Sequence, residues 1–166
     1  MNEAKAESSV RIRRARLEDH LALCGLWSQV DVLHAEIRPD FFVCGVEPPR
    51  SKLYVDRIVD DSDQELLVAV RGETLLGLIH LQLYNTPRSS VFVDRRRAHV
   101  EDLVVDRSHQ REGIGKALLG AGEDWARQHD ASQLVLTVWS GNKTGFGFYA
   151  AQGYCPVSEV LAKELS

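Results

Sequence analysis

The heptapeptide Gln110-Arg111-Glu112-Gly113-Ile114-Gly115-Lys116 stands between the apolar run Leu103-Val104-Val105 and a helical pattern that begins at Lys116. This order predicts a strand, then a glycine-rich turn, then the N-terminus of a helix. The first N–H groups of a helix have no acceptor within the helix, and the helix dipole adds partial positive charge there. Gly113 and Gly115 carry no side chain that would keep an anion from those N–H groups. The heptapeptide therefore predicts a binding site for a phosphorylated ligand.

Two common phosphate-binding loops are excluded by the residues around these glycines. A Walker A loop requires glycine at the position of Gln110, and serine or threonine at the position of Ala117. A dinucleotide fingerprint requires a third glycine at the position of Leu118 and an earlier place in the chain. Both patterns fail, and a nucleotide-binding regulator is disfavoured with them.

Length and composition predict one globular domain over residues 1–166, with residues 1–9 as a polar tail. At 166 residues with 44% hydrophobic content, the chain is long enough to bury a core without disulfides or metals. The three cysteines form no C-x-x-C pair and the six histidines have no ligand spacing, so we expect no disulfide framework and no metal. A net charge of −4 argues against nucleic-acid binding. Unpaired thiols, a polar N-terminus and the lack of a long apolar run favour a cytoplasmic protein without a membrane segment.

The hydrophobic pattern predicts ten elements in the order β-α-α-β-β-β-α-β-α-β. In that order they cover residues 10–14, 18–34, 52–59, 65–70, 75–83, 98–105, 115–129, 133–139, 144–152 and 157–165. This succession predicts a single α/β (α+β) domain, with a mixed sheet and helices on both faces. It also places the glycine-rich turn at the C-terminal end of a central strand, where ligands bind in such sheets.

Four segments of the chain, taken together, resemble one known family. They are Ile12-Arg13-Arg14-Ala15 with Asp19, the strand from His99 to Val105, the loop from Gln110 to Gly115, and Asn142 through Phe148-Tyr149 to Gly153-Tyr154. In this order they are similar to the first strand, the fourth strand, the pyrophosphate loop and the N…FY…GF/Y segment of the GNAT superfamily of acyl-CoA-dependent N-acetyltransferases. The resemblance covers nearly the whole chain.

The resemblance implies a mostly antiparallel mixed sheet with splayed central strands, between which the pantetheine arm of the cosubstrate acetyl-CoA inserts. It implies that the arm pairs with the main chain of Leu103, Val104 and Val105 and bonds to Asn142. The residues implied to wrap the pyrophosphate, mainly by backbone N–H groups, are Arg111, Glu112, Gly113, Ile114, Gly115 and Lys116. Because many relatives are homodimers, it also implies a homodimer, with contacts from the last strand and residues 38–50.

Acetyl transfer from a thioester to an amine needs a base, an oxyanion donor and an acid. An alkylammonium with a pKa near ~10 is mostly protonated at neutral pH, so a base must remove a proton. Glu101 is our candidate for the base, and Asp102 or a chain of water molecules are the alternatives. Asp102 is also a candidate for recognising the ammonium by charge. A backbone N–H near Leu103 or Val104 is the candidate oxyanion donor, and the resemblance implies that Tyr149 protonates the leaving thiolate.

Two local features bear on the placement of these groups. On strict alternation Glu101 and Asp102 face opposite sides of the sheet, although a bulge, which the resemblance implies here, would change that parity. Gly145 and Gly147 stand where the family usually has helix formers. Because each costs up to about 1 kcal/mol in a helix interior, the helix over 144–152 is predicted to fray or to begin late.

We predict an enzyme that moves acetyl from acetyl-CoA to a primary amine of a small molecule, by direct attack in a ternary complex. The pattern Val100-Glu101-Asp102 resembles relatives that acetylate polyamines and amino sugars, and its two carboxylates favour a cationic acceptor. A protein or peptide N-acetyltransferase is the alternative and requires an open groove. A non-catalytic acyl-CoA-binding sensor is less favoured, because both Glu101 and Tyr149 are present. Residues 31–42 are predicted to cap the acceptor side.

Overall fold

The computed structural model describes residues 9–43, 50–86, 91 and 93–165. The strands are β1 (Arg11–Arg14), β2 (Gln64–Arg71), β3 (Thr74–Asn85), β4 (Arg96–Val105) and β5 (Gln133–Leu136). The helices are α1 (His20–Ile37), α2 (Lys52–Asp60), α3 (Ile114–Gln128) and α4 (Lys143–Ala151). The predicted tail of residues 1–9, apart from Ser9, and residues 44–49 of the predicted dimer contact lie outside the described residues. None of the described helices is both long enough and apolar enough to cross a membrane.

The five strands form one sheet in the order β1-β2-β3-β4-β5. Every neighbouring pair is antiparallel except β4 and β5, which run parallel. The crossover from β4 to β5 runs through α3, as a parallel connection requires. This architecture confirms the predicted single domain with a mixed, mostly antiparallel sheet.

Two apolar clusters cover the two faces of the sheet. On one face, α3 packs Leu118 and Leu119 against β3 and β4 in a cluster that includes Ile79. On the other face, α1 and α2 pack around Trp27 and Val55, which have no exposed surface. Each side chain of this size stabilises the fold by about 1.5–3 kcal/mol when it is fully buried. The predicted placement of helices on both faces is therefore confirmed.

The central strands part after a short region of contact. The pairing of β4 with β5 covers only Arg97–Val100 against Gln133–Leu136, and β5 then leaves the sheet. The predicted strand over 133–139 is therefore three residues too long. From Glu101 onward β4 still lies beside β3 but no longer pairs with β5. This opening is the splay that the family resemblance implied.

The predicted last strand over residues 157–165 is wrong, because none of these residues lies in a strand. Their apolar side chains are almost fully exposed, namely Val157, Val160, Leu161 and Leu165. The spacing between them is three, one and four residues, so they do not alternate and cannot place one apolar face on a sheet. Apolar content alone suggested a strand that the periodicity did not support.

Candidate active site

A cavity of about 110 Å³ lies where β4 and β5 part. Helix α1 closes one side of it, and α4 closes another. The lining side chains with chemistry to offer are His34, Glu101, Asp102, Asn142 and Tyr149. Both predicted catalytic residues, Glu101 and Tyr149, thus meet at one cavity, together with the alternative base Asp102.

A β-bulge in β4 places two acidic residues on one face of the sheet. His80 of β3 pairs with Asp102, whereas the next residue, Leu81, pairs with Val100, so Glu101 is the extra residue. The side-chain contacts agree with this register. Glu101 bonds to His99, and Asp102 bonds to Trp27 on α1. The bulge thus overrides the strict alternation and turns both carboxylates toward the α1 side.

Two neighbouring side chains hold Glu101 as a carboxylate. The hydroxyl of Tyr84 donates to its Oε1 at 2.8 Å, and Nδ1 of His99 lies 3.1 Å from the same oxygen. The hydrogen bond from His99 and that from Tyr84 hold the pKa of Glu101 below its ordinary value, against the opposing effect of burial. Burial and the bond to Glu101 raise the pKa of Tyr84 to about 12. Glu101 is therefore ionised at neutral pH and offers a fixed negative charge to the cavity.

Asp102 is held differently, deeper in the protein. Its Oδ2 accepts from Nε1 of Trp27 at 2.9 Å, and its Oδ1 lies 3.9 Å from a guanidinium nitrogen of Arg50. Burial raises the pKa of this carboxyl, and the nearby charge of Arg50 opposes the rise. Arg50 itself is anchored by Asp31 at 2.6 Å. The two adjacent carboxylates thus differ in proton affinity, as pairs with divided acid–base roles do.

Tyr149 enters the cavity from α4. Its ring packs against Phe148 and Tyr154, which fixes its position in the helix. Burial, and then the charge of Asp102, raise the pKa of its phenol to about 12. The hydroxyl therefore stays protonated at neutral pH and is available as a donor.

The glycine-rich loop has the backbone shape of an anion-binding turn. Arg111 has φ 67° and Gly113 has φ 82°, both in the left-handed region. Gly113 is the N-cap of α3, so the N–H groups of Ile114, Gly115 and Lys116 open the helix without acceptors inside it. Ile114 is buried and anchors the turn, whereas the side chain of Lys116 is exposed. The predicted pyrophosphate residues thus form a turn, Arg111 to Gly113, and the first three residues of the helix that follows it.

The same loop contacts both the sheet and the next helix. The carboxylate of Glu112 pairs with Arg71 at the end of β2 at 2.7 Å, and this bond lowers the pKa of Glu112. A Cβ on Gly115 would lie 3.4 Å from Val105 and 3.5 Å from Phe148. The loop therefore lies against the C-terminal end of β4 and against α4. Arg71 is a cation near this loop that the sequence pattern did not indicate.

Only part of the predicted main-chain surface of β4 faces the opening. The N–H of Asp106 bonds to the carbonyl of Leu76 on β3. Main-chain groups in an antiparallel pair alternate in direction, so Val104 also turns its N–H and C=O toward β3, where Leu78 is its partner. Leu103 and Val105 turn theirs toward the opening. The prediction for Val104 is corrected on this point, because its main-chain groups belong to the sheet.

Asn142 has a structural role that the sequence pattern did not assign. It is the N-cap of α4, and its Oδ1 accepts from the N–H of Gly145 at 2.8 Å. A Cβ on Gly145 would lie 2.7 Å from Nδ2 of Asn142, so the folded-over amide explains the unusual glycine. The helix spans Lys143–Ala151 and does not begin late. The NH₂ group of Asn142 and the second lone pair of its Oδ1 are left for a ligand.

An aromatic cluster lies beside the cavity, which its members His34 and Trp139 line. Phe42 stacks on His34 with ring centroids 4.9 Å apart and meets Trp139 edge-on at 4.8 Å. The guanidinium of Arg38 lies 4.2 Å from the ring centre of Phe41. The cluster joins the end of α1 to the chain leaving β5, which is where residues 31–42 were predicted to form a cap.

A family model described as Acetyltransferase (GNAT) family matches residues 30–154, the greater part of this chain. The chain belongs to the GNAT acetyltransferase family. Members of this family transfer acyl groups, so the chain is an acyltransferase. The matched range contains the bulge, the glycine-rich loop and α4, so the GNAT assignment covers every part of the cavity.

Individual relatives agree with the GNAT assignment. YhfO, an uncharacterized N-acetyltransferase of Bacillus subtilis (strain 168), is 25% identical over 146 residues, covering 87% of this chain and 89% of that relative. An uncharacterized N-acetyltransferase in the pepI 3′ region of Lactobacillus delbrueckii subsp. lactis is 34% identical over 67 residues, which are 40% of this chain and 39% of that relative. A mutant of the BH1408 protein from Bacillus halodurans has the same fold, with a TM-score of 0.89 at 24% identity, over 94% of this chain and 99% of that one.

Several residues at this GNAT site have no motif in the sequence. Trp27 and Arg50, which flank Asp102, come from α1 and from the segment just before α2, far from β4 in the chain. His80 is another, and it stands inside the otherwise apolar run Leu78-Ile79-His80-Leu81. A titratable residue in a buried strand was the signal that could have identified it. Among the described residues no group of three or more His, Cys, Asp or Glu is arranged to hold a metal ion.

Proposed function

We propose that this GNAT enzyme transfers the acetyl group of acetyl-CoA to the primary amine of a small, cationic molecule, by direct attack in a ternary complex. The observation that carries the proposal is the cavity at the strand opening. It has Glu101 and Asp102 on the β4 side, Tyr149 on the α4 side and the anion-binding turn beyond. An acceptor amine, a thioester and a leaving thiolate each have a suitable partner there.

Acetyl-CoA is proposed to occupy the opening as an additional strand beside β4. Its pyrophosphate would bind the N–H groups of the turn formed by Arg111, Glu112, Gly113, Ile114, Gly115 and Lys116. Its amide groups would pair with the main chain of Leu103 and Val105, which faces the opening, and with the NH₂ group of Asn142. These groups are suited to the task because donors and acceptors alternate along a strand edge as they do along a pantetheine arm.

Glu101 is proposed to bind the acceptor ammonium and to remove its proton, directly or through one water molecule. The neutral amine then attacks the thioester carbon, and the N–H of Leu103 stabilises the oxyanion. The C–S bond breaks with its electrons on sulfur. Tyr149, with a pKa of about 12, is a weaker acid than an ordinary thiol at about 8.5, so it acts first as a hydrogen-bond donor to the thiolate.

The acceptor is proposed to be small because the aromatic cluster that contains Phe42 and Trp139 lies against the cavity, of which Trp139 and His34 form part of the wall. The cavity, with a volume of about 110 Å³, has room for an amine-bearing group. The charge of Glu101 and the aromatic rings favour a cation with an apolar portion.

We also propose a cytoplasmic homodimer. The apolar side chains of residues 157–165 are 80–95% exposed, which favours burial against a second copy. The free thiols of Cys24 and Cys155 suit a reducing compartment. Light scattering after size exclusion should give twice the 18.6 kDa chain mass, and Leu161→Glu should reduce it. A monomeric mass for the unaltered protein would refute the dimer.

The first experiment is thermal unfolding with acetyl-CoA, with ATP and NAD as controls. A ligand that binds only the folded state raises the midpoint in proportion to RT ln(1 + [L]/Kd). We expect a rise with acetyl-CoA alone, and a rise with ATP or NAD alone would refute the proposal. An amine panel then follows, in which Tyr149→Phe and Glu101→Gln should lower kcat about 10²-fold. Tyr154→Phe is the matched control, because that hydroxyl bonds to Glu123 on α3.

A further inference from the structure

A chain of hydrogen bonds beneath the cavity fixes the tautomer of His80. Asp61 is ionised, since bonds from Gln64 and from the main chain lower its pKa, so it can only accept. The amide nitrogen of Gln64 donates to Asp61 at 2.8 Å, which turns Oε1 of Gln64 toward His80. That oxygen lies 2.9 Å from Nε2 of His80 and must accept from it. The neutral ring therefore carries its proton on Nε2, and Nδ1 has a free lone pair.

That lone pair is buried and has no partner. Only 3% of His80 is exposed, and Nδ1 makes no hydrogen bond with any described residue. It faces Oδ2 of Asp102 at 4.0 Å. Two acceptors that face each other inside a protein are unfavourable unless a proton lies between them. A side-chain shift of about 1 Å would bring the two atoms to hydrogen-bond distance.

We propose that His80 and Asp102 form a buried pair that holds one proton between them. This proton is the one that Glu101 removes from the acceptor amine and passes to the pair. The inference rests on the proposed function for the origin of that proton. Glu101 is suited to meeting the ammonium but not to keeping its proton, because its hydrogen bonds favour the carboxylate. Asp102 lines the same cavity and has the unused Nδ1 behind it. His80 is thus a positioning residue that acts through Asp102.

The protons of the reaction balance when this pair is included. The ammonium gives one proton to Glu101, which passes it to the pair and returns to its carboxylate form. The amine nitrogen forms the C–N bond, and the C–S bond breaks with its electrons on sulfur. The amine nitrogen then loses a second proton, which Tyr149 relays to the thiolate. The proton on the pair leaves to solvent, so one proton is released for each acetyl group transferred.

Several charged or titratable groups surround the pair and contribute to its proton affinity. Asp31 and His34 lie on α1, Arg50 lies just before α2, Tyr54 lies on α2, and His99 and Glu101 lie on β4. Tyr149 faces the pair from α4. Burial disfavours the charged form of each group, so it raises the pKa of Asp102 and lowers that of His80. A single proton shared by the two groups is therefore favoured over a separate carboxylate and imidazolium. Arg50 opposes protonation, whereas Asp31 and Glu101 favour it.

The test is an NMR titration of the protein without substrate. Long-range ¹H–¹⁵N spectra give the protonation of each His80 nitrogen, and the carboxyl ¹³C signal reports Asp102. We expect a proton on Nε2 throughout, and one common midpoint for Nδ1 and the Asp102 carboxyl. Asp102→Asn, which can still accept from Trp27, should lower the midpoint of Nδ1 by about 1 pH unit or more, and Glu101→Gln should lower it less. Separate midpoints, or an Nδ1 unaffected by Asp102→Asn, would overturn the pair.

Gln64→Met provides a second variant outside the cavity. Without the Gln64 oxygen, the ring proton should move to Nδ1 and bond to Asp102, and the common midpoint should disappear. A ring that keeps its proton on Nε2 in this variant would contradict the tautomer argument. With an accepted amine, His80→Gln should lower kcat about tenfold or more and leave the Kd for acetyl-CoA within about twofold. The spectra need no turnover, so an inactive wild type would count against the proposed function without bearing on the pair.

Discussion

Gly113 offers the sharpest test of the anion-binding turn. It has φ 82° and ψ 0° as the N-cap of α3, and a Cβ built on it would have no atom within 4 Å. Substitution therefore meets no steric contact, and its whole effect comes from the backbone. We choose Gly113→Val, because a β-branched residue is a true outlier at positive φ. Gly72 in the β2–β3 turn, with φ 57° and equally open surroundings, provides the matched control Gly72→Val.

The two substitutions should cost similar stability but differ in ligand binding. The left-handed conformation is unfavourable for a residue with a Cβ by about 1–2 kcal/mol, which corresponds to a fall in Tm of roughly 2–8 °C for a chain of this size. At Gly113 the backbone must also turn away, which moves the N–H groups that open α3. A hydrogen bond to a charged group contributes about 1.5–3 kcal/mol, so losing one bond to the pyrophosphate should weaken acetyl-CoA binding about tenfold to a hundredfold.

Isothermal titration with acetyl-CoA measures the affinity, and thermal unfolding without ligand measures the stability. We expect both variants to unfold at lower temperature and only Gly113→Val to bind weakly. Equal affinities for the two variants, at similar Tm values, would show that the turn does not hold the cosubstrate. Weak binding by both would point to a general loss of structure instead.

Two further predictions concern α4 and the first strand. Gly145→Ala should destabilise the protein by about 1 kcal/mol, because its Cβ would displace the Asn142 cap. Gly147→Ala should stabilise it by up to about 1 kcal/mol, because a Cβ there meets no other atom. Thermal unfolding that ranks the two variants the other way would refute the capping argument. The hydrogen bonds that Arg13 donates to Asp19 lower the pKa of the Asp19 carboxyl below its value in the unfolded chain, which is about 3.9. The stabilisation by these bonds is therefore complete above about pH 3.9, and it is lost as the pH falls through the folded-state pKa. Asp19→Asn should therefore be less stable in urea at pH 7 by about 1 kcal/mol, with a gap from wild type that narrows as pH falls below about 3.9, and a gap that stays constant through this range would contradict this account.

Much of the architecture was predictable because it rests on local patterns. The hairpin around Gly72, the helix over Ile114–Gln128 and the glycine-rich turn each follow from periodicity and turn residues within a short window. The early end of β5 was not predictable in this way. Its apolar run continues to Trp139, and only the short register with β4 shows where the strands part. Residues 157–165 show the opposite error, in which apolar content was read as a strand without periodicity.

The candidate site was predictable where the chain itself brings residues together. Glu101 and Asp102 are adjacent, and the family resemblance placed Tyr149 on the helix beside them. Their different environments depend on partners distant in sequence, such as Arg50, about fifty residues away, and no local pattern encodes those contacts. The same holds for His80, whose role depends on a bulge in the neighbouring strand. Composition and spacing identify the chemical groups, whereas tertiary contacts set their proton affinities.

The short register between β4 and β5 has a consequence for how the folded chain should fluctuate. Four residue pairs tie β5 to the sheet, whereas β3 and β4 pair over almost their whole length. The amide hydrogens of β5 should therefore exchange faster than those of β3, through openings that leave the other four strands intact. A ligand filling the gap would supply the missing partner along β4 and slow those openings. The enzyme would then be least rigid when this gap is empty, at the strand that borders it.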